Sequence, residues 1–574
     1  QACRWAYRSS PTPKETTMRR AWLAMVALAA AGSGSAQAQE GETHQHGDGL
    51  VADSATGGRT PLYRNLGLYH MAITTASPVA QQYVDQGLRL TYGFSHDEAI
   101  KSYTEGIRED STCAMCWWGI AYALGPNINA PMDTGAVRPA WTALQQAVKY
   151  AARTTPREQA YIRALQARYR LDPPADRSAL DSAWARAIGA VSRKYPADDD
   201  AATLHAEALM DLRPWHYWTN AGRPLAPSTT EQVAVLERVT RRNPNHPGAC
   251  HFYIHAIEAS KFAERALPCA QRLGGLMPGA GHLVHMPTHI YMRLGRWDEA
   301  VAHNATAVQV DQEYLDARHP VGVYPIGYVP HNYHVMWEAL LMTGRSAEAM
   351  SAAGSITAKV PVDVVRAIPP FEYYSPVELF TQVRFSRWDE LLVAPPPDSS
   401  LRYTTGIWYW ARGLALAAKG RLDSAAVAGD SLAAIAARIP ADQMANLNSS
   451  RTLLEIAGHS LAGELAARRQ RTDEAVRRLR QGIALEDELI YDEPTAWPVP
   501  LRQQLGLVLL AAGRSREAEQ VFRQDLRQYP NNGWSFNGLA QALAAQGRTA
   551  EGEKVEGRFR QVWAKSDVSL PPRQ

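Results

Sequence analysis

One phrase recurs along this 574-residue chain: Gly-Arg, a short polar or aromatic stretch, then Glu-Ala or a near equivalent. It reads GRWDEA from Gly295, GRSAEA from Gly344, GRLDSA from Gly420, GRSREA from Gly513 and GRTAEG from Gly547. The last two glycines stand 34 residues apart. Around them helical periodicity dominates and strand patterning is scarce. A repeat of this length is a unit too small to bury its own apolar face, so it must stack on its neighbours. That constraint removes most folds from consideration before any other property is read.

With Ala518, Phe522 and Pro530 falling inside it, the period resembles the tetratricopeptide repeat (TPR). The resemblance implies helix pairs, A then B, with the glycine near the A–B turn. Stacked, they form an all-α, right-handed TPR-type solenoid with a concave face. The earlier segment YGFSHDEAIKSYTEGIREDSTCAMCWWGIAYALG fits the same template, with Ala99 as the small residue of helix B. Trp117 then takes the large aromatic position of the next helix A. Coverage is uneven: 49 residues separate Gly295 from Gly344, so an insertion with DARHPVGVYPIGYVP at its core is expected. Pro-rich stretches at 361–376 and 394–398 interrupt the pattern again. The expected organisation is a TPR-like array over 61–350, a Pro-rich interruption over 351–400 and a second TPR array over 401–565. The phrases CAMCWWGIAYALGPNIN, GHLVHMPTHIYMRLGRWDEA and PHNYH look like a group of exported bacterial TPR proteins with His-rich central repeats. That likeness implies a fold and an export route and supplies no reaction.

The N-terminus agrees with export. Met18-Arg19-Arg20 precedes the apolar run AWLAMVALAAAG and the small-residue ending SGSAQAQE, the pattern of a secretory signal. Residues 1–17 are expected to be an upstream translation artefact, 18–38 the signal peptide, and 39–60 a polar, disordered leader carrying His44 and His46. The protein is therefore expected in the periplasm or outside the cell, with no membrane span. A formal net charge of +3 gives no basic stripe for nucleic acid. Export permits disulfides. Cys113 and Cys116 have CxxC spacing but no following His, so the c-type haem motif is absent. A disulfide and a pair of small buried thiols both fit, and Cys250 and Cys269 are equally open.

The histidines carry the chemistry. Counting the turn glycine as position 15, Gly295 places His282, His285 and His289 at positions 2, 5 and 9 of a helix A. The family resemblance makes these groove-lining positions, and spacings of three and four put them on one helix face in any case. Gly344 places His331, His334 and Glu338 at the same positions of the next repeat. In the preceding repeat His251, His255 and Glu258 form one stripe, assigned to positions 5, 9 and 12. Three adjacent helices thus aim seven imidazoles and up to two carboxylates into one stretch of groove. Neutral imidazole with a carboxylate or two is the ligand set for Cu, Zn or Fe, and seven exceed the need of one tetrahedral ion. A two-metal site, or one metal with proton-handling histidines, is therefore expected. Pro287 lies inside this stretch: either the helix starts near it, leaving His282 and His285 on the entry loop, or it is kinked there. Tyr324, Tyr328 and Tyr333, in and just after the insertion, are candidate walls for a ligand.

No GxSxG elbow, phosphate-binding glycine loop, HExxH or paired zinc-ribbon cysteines occur in the chain. The leading expectation is an exported TPR scaffold whose groove carries a multi-His transition-metal site. The alternatives are a Cu or Fe oxidoreductase or a Zn hydrolase using the same histidines, with Glu258 or Glu338 as base, and a metal-free scaffold that takes a peptide or protein in the groove.

Overall fold

A computed structural model describes residues 59–570. The expected artefact, signal peptide and nearly all of the leader, with His44 and His46, lie outside the described residues. What is described is an all-α array of stacked helix pairs. The one sheet among the described residues is a two-stranded ribbon, Met444–Ala445 against Asn448–Ser449. Successive pairs run from Pro78–Tyr92 with His96–Glu109 at one end to Gly533–Ala544 with Thr549–Val562 at the other. Between 362 and 393 the elements shorten to single turns and helices of at most eight residues. No helix among the described residues is long and apolar enough to cross a membrane.

The recurrent phrase is the A–B turn. Gly295, Gly344, Gly420, Gly513 and Gly547 have φ between +66° and +75°, the left-handed region that ends a helix sharply and favours glycine. Phe94, Ser386 and Gln470 take the same place in their turns with positive φ and a full side chain. After most of these turns an alanine opens the packed face of helix B: Ala99, Ala300, Ala349, Ala425, Ala475 and Ala518 are wholly buried.

Glycines of successive A helices let them approach a shared aromatic ring. A Cβ on Gly506 would lie 2.3 Å from the Phe522 ring, and one on Gly538 would lie 2.2 Å from it. Tyr103 sits the same way between Gly87 and Gly119, where added Cβ atoms would meet it at 2.5 Å. The ring of helix B is thus clamped between two A-helix backbones at both ends of the array. It fixes how far apart consecutive A helices stand.

The array also closes on itself. Trp297 Nε1 donates to the Pro530 carbonyl at 2.9 Å, and Trp534 Nε1 to that of Leu341 at 2.8 Å. The carboxylate of Asp567 caps the helix Ser346–Lys359, accepting from Ser346 N at 2.7 Å and Ala347 N at 2.9 Å. The C-terminal pairs therefore pack against the central, His-bearing ones.

Gly538→Ala is expected to cost about 1–3 kcal/mol by overpacking against Phe522. The check is the midpoint of denaturant unfolding, which should recover in the double variant Gly538→Ala with Phe522→Leu. An unchanged midpoint in the single variant would show that the clamp does not set the spacing.

Candidate metal centre

Three consecutive A helices carry the histidines. Pro247–Ile257 opens on the ring of His246, whose Nδ1 accepts from Ala249 N at 3.2 Å, with Pro247 in its first turn. It presents His251 and His255, and Glu258 follows at its C-terminal end. The next A helix is interrupted at Met286 between Gly281–His285 and Pro287–Arg293. Met286 keeps helical φ and ψ, so the axis is broken without reversing. His282 and His285 thus stand on a short helix before the proline and still face their partners. The third helix, Val329–Thr343, bears His331.

The protons of these rings can be assigned from their partners. His251 Nδ1 lies 2.6 Å from the carbonyl oxygen of Tyr92, which can only accept, so the ring proton is on Nδ1 and Nε2 carries a lone pair. His285 Nδ1 lies 2.6 Å from Asn304 Oδ1. That amide is oriented by its own Nδ2, which donates to the Ala300 carbonyl at 3.0 Å, so the imidazole is again the donor. His255 Nδ1 donates to Glu258 Oε1 at 2.9 Å. His289 Nδ1 stands 3.1 Å from Glu258 Oε2 and 3.1 Å from Glu493 Oε2. The Nδ1 atoms of His251, His255 and His285 have hydrogen-bond partners on their far sides and that of His289 faces the two carboxylates, which turns four Nε2 atoms inward.

The inward atoms meet one another. His285 Nε2 and His289 Nε2 are 2.8 Å apart, and His251 Nε2 and His282 Nε2 are 3.1 Å apart. Two lone pairs at 2.8 Å repel unless a positive charge, a proton or a metal ion, lies between them. The 3.1 Å contact is satisfied if His282 donates from Nε2, and then its Nδ1 is a buried lone pair. Among the described residues, His282 Nδ1 and His255 Nε2 have no hydrogen-bond partner. Nitrogens bound tetrahedrally to one zinc-like ion at roughly 2.0–2.1 Å stand roughly 3.4 Å apart. Three groups have their ligand atoms within 4.8 Å of one another: His251, His255 and His282; His285, His289 and His331; and His255, Glu258 and Glu493.

Electrostatics keeps the rings in ligand form. Burial pushes His251 down to about 3 and His331 down to about 4. Burial, then the neighbouring imidazoles, holds His255, His282 and His285 well below the usual range. Neutral imidazole is the form that binds a metal. Burial and the adjacent Glu493 carboxylate push Glu258 well up. Burial opposes ionisation of Glu493 too, but His289, Glu258 and His255 outweigh it and bring its carboxyl below the usual value.

Of the candidate residues, His251, His255, Glu258, His282, His285, His289 and His331 come together. His334 and Glu338 do not join them. The His334 ring packs on Trp337, Tyr373 and Tyr374 at centroid distances of 5.2, 5.3 and 5.2 Å, because the turn Pro369–Tyr374 covers that face of its helix. Glu338 accepts from Thr495 N at 3.0 Å and so anchors the loop that brings in Glu493. Tyr328 borders the cluster, its ring 4.8 Å from that of His282. Tyr324 donates instead to Asp311 at 2.8 Å, and Tyr333 lies under Lys359, 5.6 Å from the ring.

Sequence reasoning missed Glu493, Asn304 and Phe94. Glu493 lies far along the chain in the loop between Thr472–Asp487 and Leu501–Ala511. That loop is clamped by Glu338, by Arg293 over the Tyr491 ring at 5.8 Å, and by Asn448 Nδ2 donating to Asp492 at 3.2 Å. Its one sequence signal is the non-helical, Pro-rich YDEPTAWPVP. Phe94 fills the first A–B turn and lies 4.5 Å from the His251 ring and 5.6 Å from that of His282. Among the described residues the four cysteines form two disulfides, Cys113–Cys116 and Cys250–Cys269.

No protein-family model and no curated protein matches the chain. Among solved structures it is similar to the human IFIT1 dimer with m7Gppp-AAAA, at 12% identity over 86% of this chain and 92% of that one, with a TM-score of 0.32. It is similar to the P58(IPK) TPR domain at 11% identity, over 82% of this chain and 99% of that one, with a TM-score of 0.23. For yeast Tom70 the figures are 12%, 84%, 92% and 0.27. The architecture of this chain rests on its own helix pairs and turns.

Glu338→Ala is expected to free the loop that carries Glu493. Losing this buried hydrogen bond costs about 1–3 kcal/mol. Hydrogen exchange at the Thr495 amide should therefore quicken by roughly 10- to 100-fold. Exchange as slow as in the unaltered protein would mean that the loop is held without Glu338.

Proposed function

We propose that this protein is a TPR-type scaffold holding a transition-metal centre of one or two ions inside its central repeats. His251, His255 and His282 offer one ligand group, and His285, His289 and His331 another. Glu258 and Glu493 stand beside both. The observation that carries this reading is the outward commitment of the Nδ1 protons. Tyr92, Asn304 and the carboxylates hold the imidazoles in the tautomer that aims Nε2 lone pairs at one another. Second partners of this kind orient histidine ligands in metal sites generally. Burial also separates the cluster from an ordinary peptide-binding groove, since Glu493 is 8% exposed and the others, His331 apart, are at most 3% exposed. The ligand set suits Cu, Zn or Fe.

A catalytic role for the same centre is the second reading. It is favoured by a cavity of about 120 Å³ that touches His255, His282, His331 and Glu493. A centre that only stabilised the fold would need no such opening. In this reading Glu493, or Glu258 beside it, handles protons at the centre. Location outside the cytoplasm belongs to the same proposal, and the two cysteine pairs support it.

Metal analysis of untagged protein after reconstitution should find one or two equivalents of Cu, Zn or Fe per chain. An ultraviolet–visible spectrum separates Cu or Fe from silent Zn. His285→Ala with His289→Ala should lose at least one equivalent. Well under one equivalent in the unaltered protein would sink the proposal. Asn304→Ala, which touches only the far side of His285, should weaken metal binding by about 10- to 100-fold in a chelator competition. Removing the metal should also lower the unfolding temperature. With free metal 1,000-fold above Kd the bound ion contributes about 4 kcal/mol, and an unfolding temperature indifferent to chelation would argue against a bound centre.

A further inference from the structure

The residues ahead of the helix Pro78–Tyr92, 59–77, form no helix themselves and are nonetheless held along their length. Side chains of the array grip their backbone. Gln86 accepts from Tyr63 N at 2.7 Å and donates to the Pro61 carbonyl at 2.9 Å. Gln81 accepts from Ile73 N at 3.0 Å and donates to the Met71 carbonyl at 3.0 Å. Glu158 accepts from Thr74 N at 2.6 Å. Backbone amides bound this way stay paired without a helix or sheet around them.

The middle of this segment, residues 65–69, lies against the starts of both helices that carry His251, His255 and His282. At one of them the Asn65 carbonyl accepts from Gly279 N at 2.8 Å. Gly279 stands just ahead of Gly281–His285, the short helix whose second residue is His282. The two stretches interlock on glycines. A Cβ on Gly279 would lie 2.4 Å from the Asn65 side chain, and one on Gly67, at φ +74°, would lie 2.0 Å from the Leu276 carbonyl oxygen. At the other helix the Tyr69 ring packs 4.5 Å from that of His246, whose side chain caps Pro247–Ile257 and so the helix of His251 and His255. Tyr69 also donates to Asp200 Oδ1 at 2.8 Å, and Tyr92 donates to the same oxygen at 2.7 Å. Burial opposes ionisation of Asp200, but His246, Tyr92 and Tyr69 outweigh it and bring the carboxyl below its usual value, so both hydroxyls bond a charged acceptor. The carbonyl of that same Tyr92 is what His251 Nδ1 meets.

The other ligand group has different anchors. Asn304, on the helix Trp297–Arg318, holds His285; Glu258 and Glu493 face His289; His331 stands on Val329–Thr343. We propose that residues 65–69 are a positioning clasp for the group His251, His255 and His282. They fasten the entry turn of His282 to the cap and the carbonyl that orient the helix of His251, and so set the spacing of those three imidazoles. The inference rests on the metal centre proposed above for its function, while the ring positions belong to the chain with or without an ion. Such coupling is reciprocal: an ion held by this group tightens the clasp by the factor by which the clasp tightens the ion.

The test compares three variants of the whole protein. Tyr69→Phe removes the bond to Asp200, and Gly67→Ala puts a methyl against the Leu276 carbonyl. Leu68→Ala, at a position 94% exposed on the same segment, is the control. In metal-free protein the imidazole nitrogen NMR signals of His251 and His282 should shift in the first two variants, while those of His285 and His331 hold. In a chelator competition with zinc, one equivalent should then bind about ten-fold more weakly and any other as before. Zinc should in turn slow hydrogen exchange at the Gly279 amide of the unaltered protein by about ten-fold. Signals of His285 and His331 moving as far as those of His251 and His282, or variants indistinguishable from Leu68→Ala, would overturn the proposal. The imidazole signals need no ion, so shifts confined to His251 and His282 in a protein that binds none of Cu, Zn and Fe would refute the metal centre and leave the clasp standing. Metal bound with those signals unmoved would refute the clasp alone.

Discussion

The distance between consecutive A helices is the quantity on which the site depends. At the two ends of the array it is set where an aromatic ring of helix B is gripped between two glycine-bearing backbones, Phe522 between Gly506 and Gly538 and Tyr103 between Gly87 and Gly119. An A helix alone offers a stripe of imidazoles pointing at water. Held one helix diameter from the next, its imidazoles reach those of its neighbours. His251 on one helix then meets His282 on the next, and the ring of His285 comes within 4.8 Å of that of His331 on the third.

Burying such a cluster is costly, and the structure shows how the cost is limited. A charged imidazole would be heavily penalised in this interior, so burial holds His251, His255, His282, His285 and His331 towards the neutral form, and the Nδ1 atoms of His251 and His285 meet acceptors. Tyr92 is a helix-terminal carbonyl that lacks an intrahelical partner, and His251 satisfies it. Asn304 is oriented by the carbonyl of Ala300 before it meets His285. What is left unsatisfied is concentrated in a few inward atoms, among them His255 Nε2 and His282 Nδ1. Unpaired polar atoms in a native interior call for an explanation, and a ligand is the economical one.

Much of this was legible in the sequence. The Gly-Arg turns announced helix pairs because only a left-handed residue ends helix A so sharply, and glycine takes that conformation freely. The i, i+3 and i, i+4 histidines announced shared faces because helical geometry is local. Pro287 announced a break, since a proline inside a helix removes a backbone hydrogen bond, and the chain is interrupted at Met286. Less legible were positions without glycine: Phe94 occupies the same turn and carries no turn signal. His334 was on the right stripe by count, yet the turn Pro369–Tyr374 covers it, and nothing in its own repeat says so.

By itself, then, the sequence determined the repeat, the helix faces and the concentration of imidazoles on three neighbouring A helices. These follow from periodicity and short-range sterics within tens of residues. Only the tertiary structure decided which candidates share a site, which nitrogen of each ring is free, and that Glu493 completes the cluster. Glu493 arrives because the solenoid curls until its C-terminal pairs pack on the central ones, through Trp297 on Pro530 and Asp567 on the helix Ser346–Lys359. Curvature of that kind is the sum of small rotations at many helix interfaces. No single stretch of residues encodes it, so a carboxylate two hundred residues from the histidines it joins could not be read in advance from its neighbours.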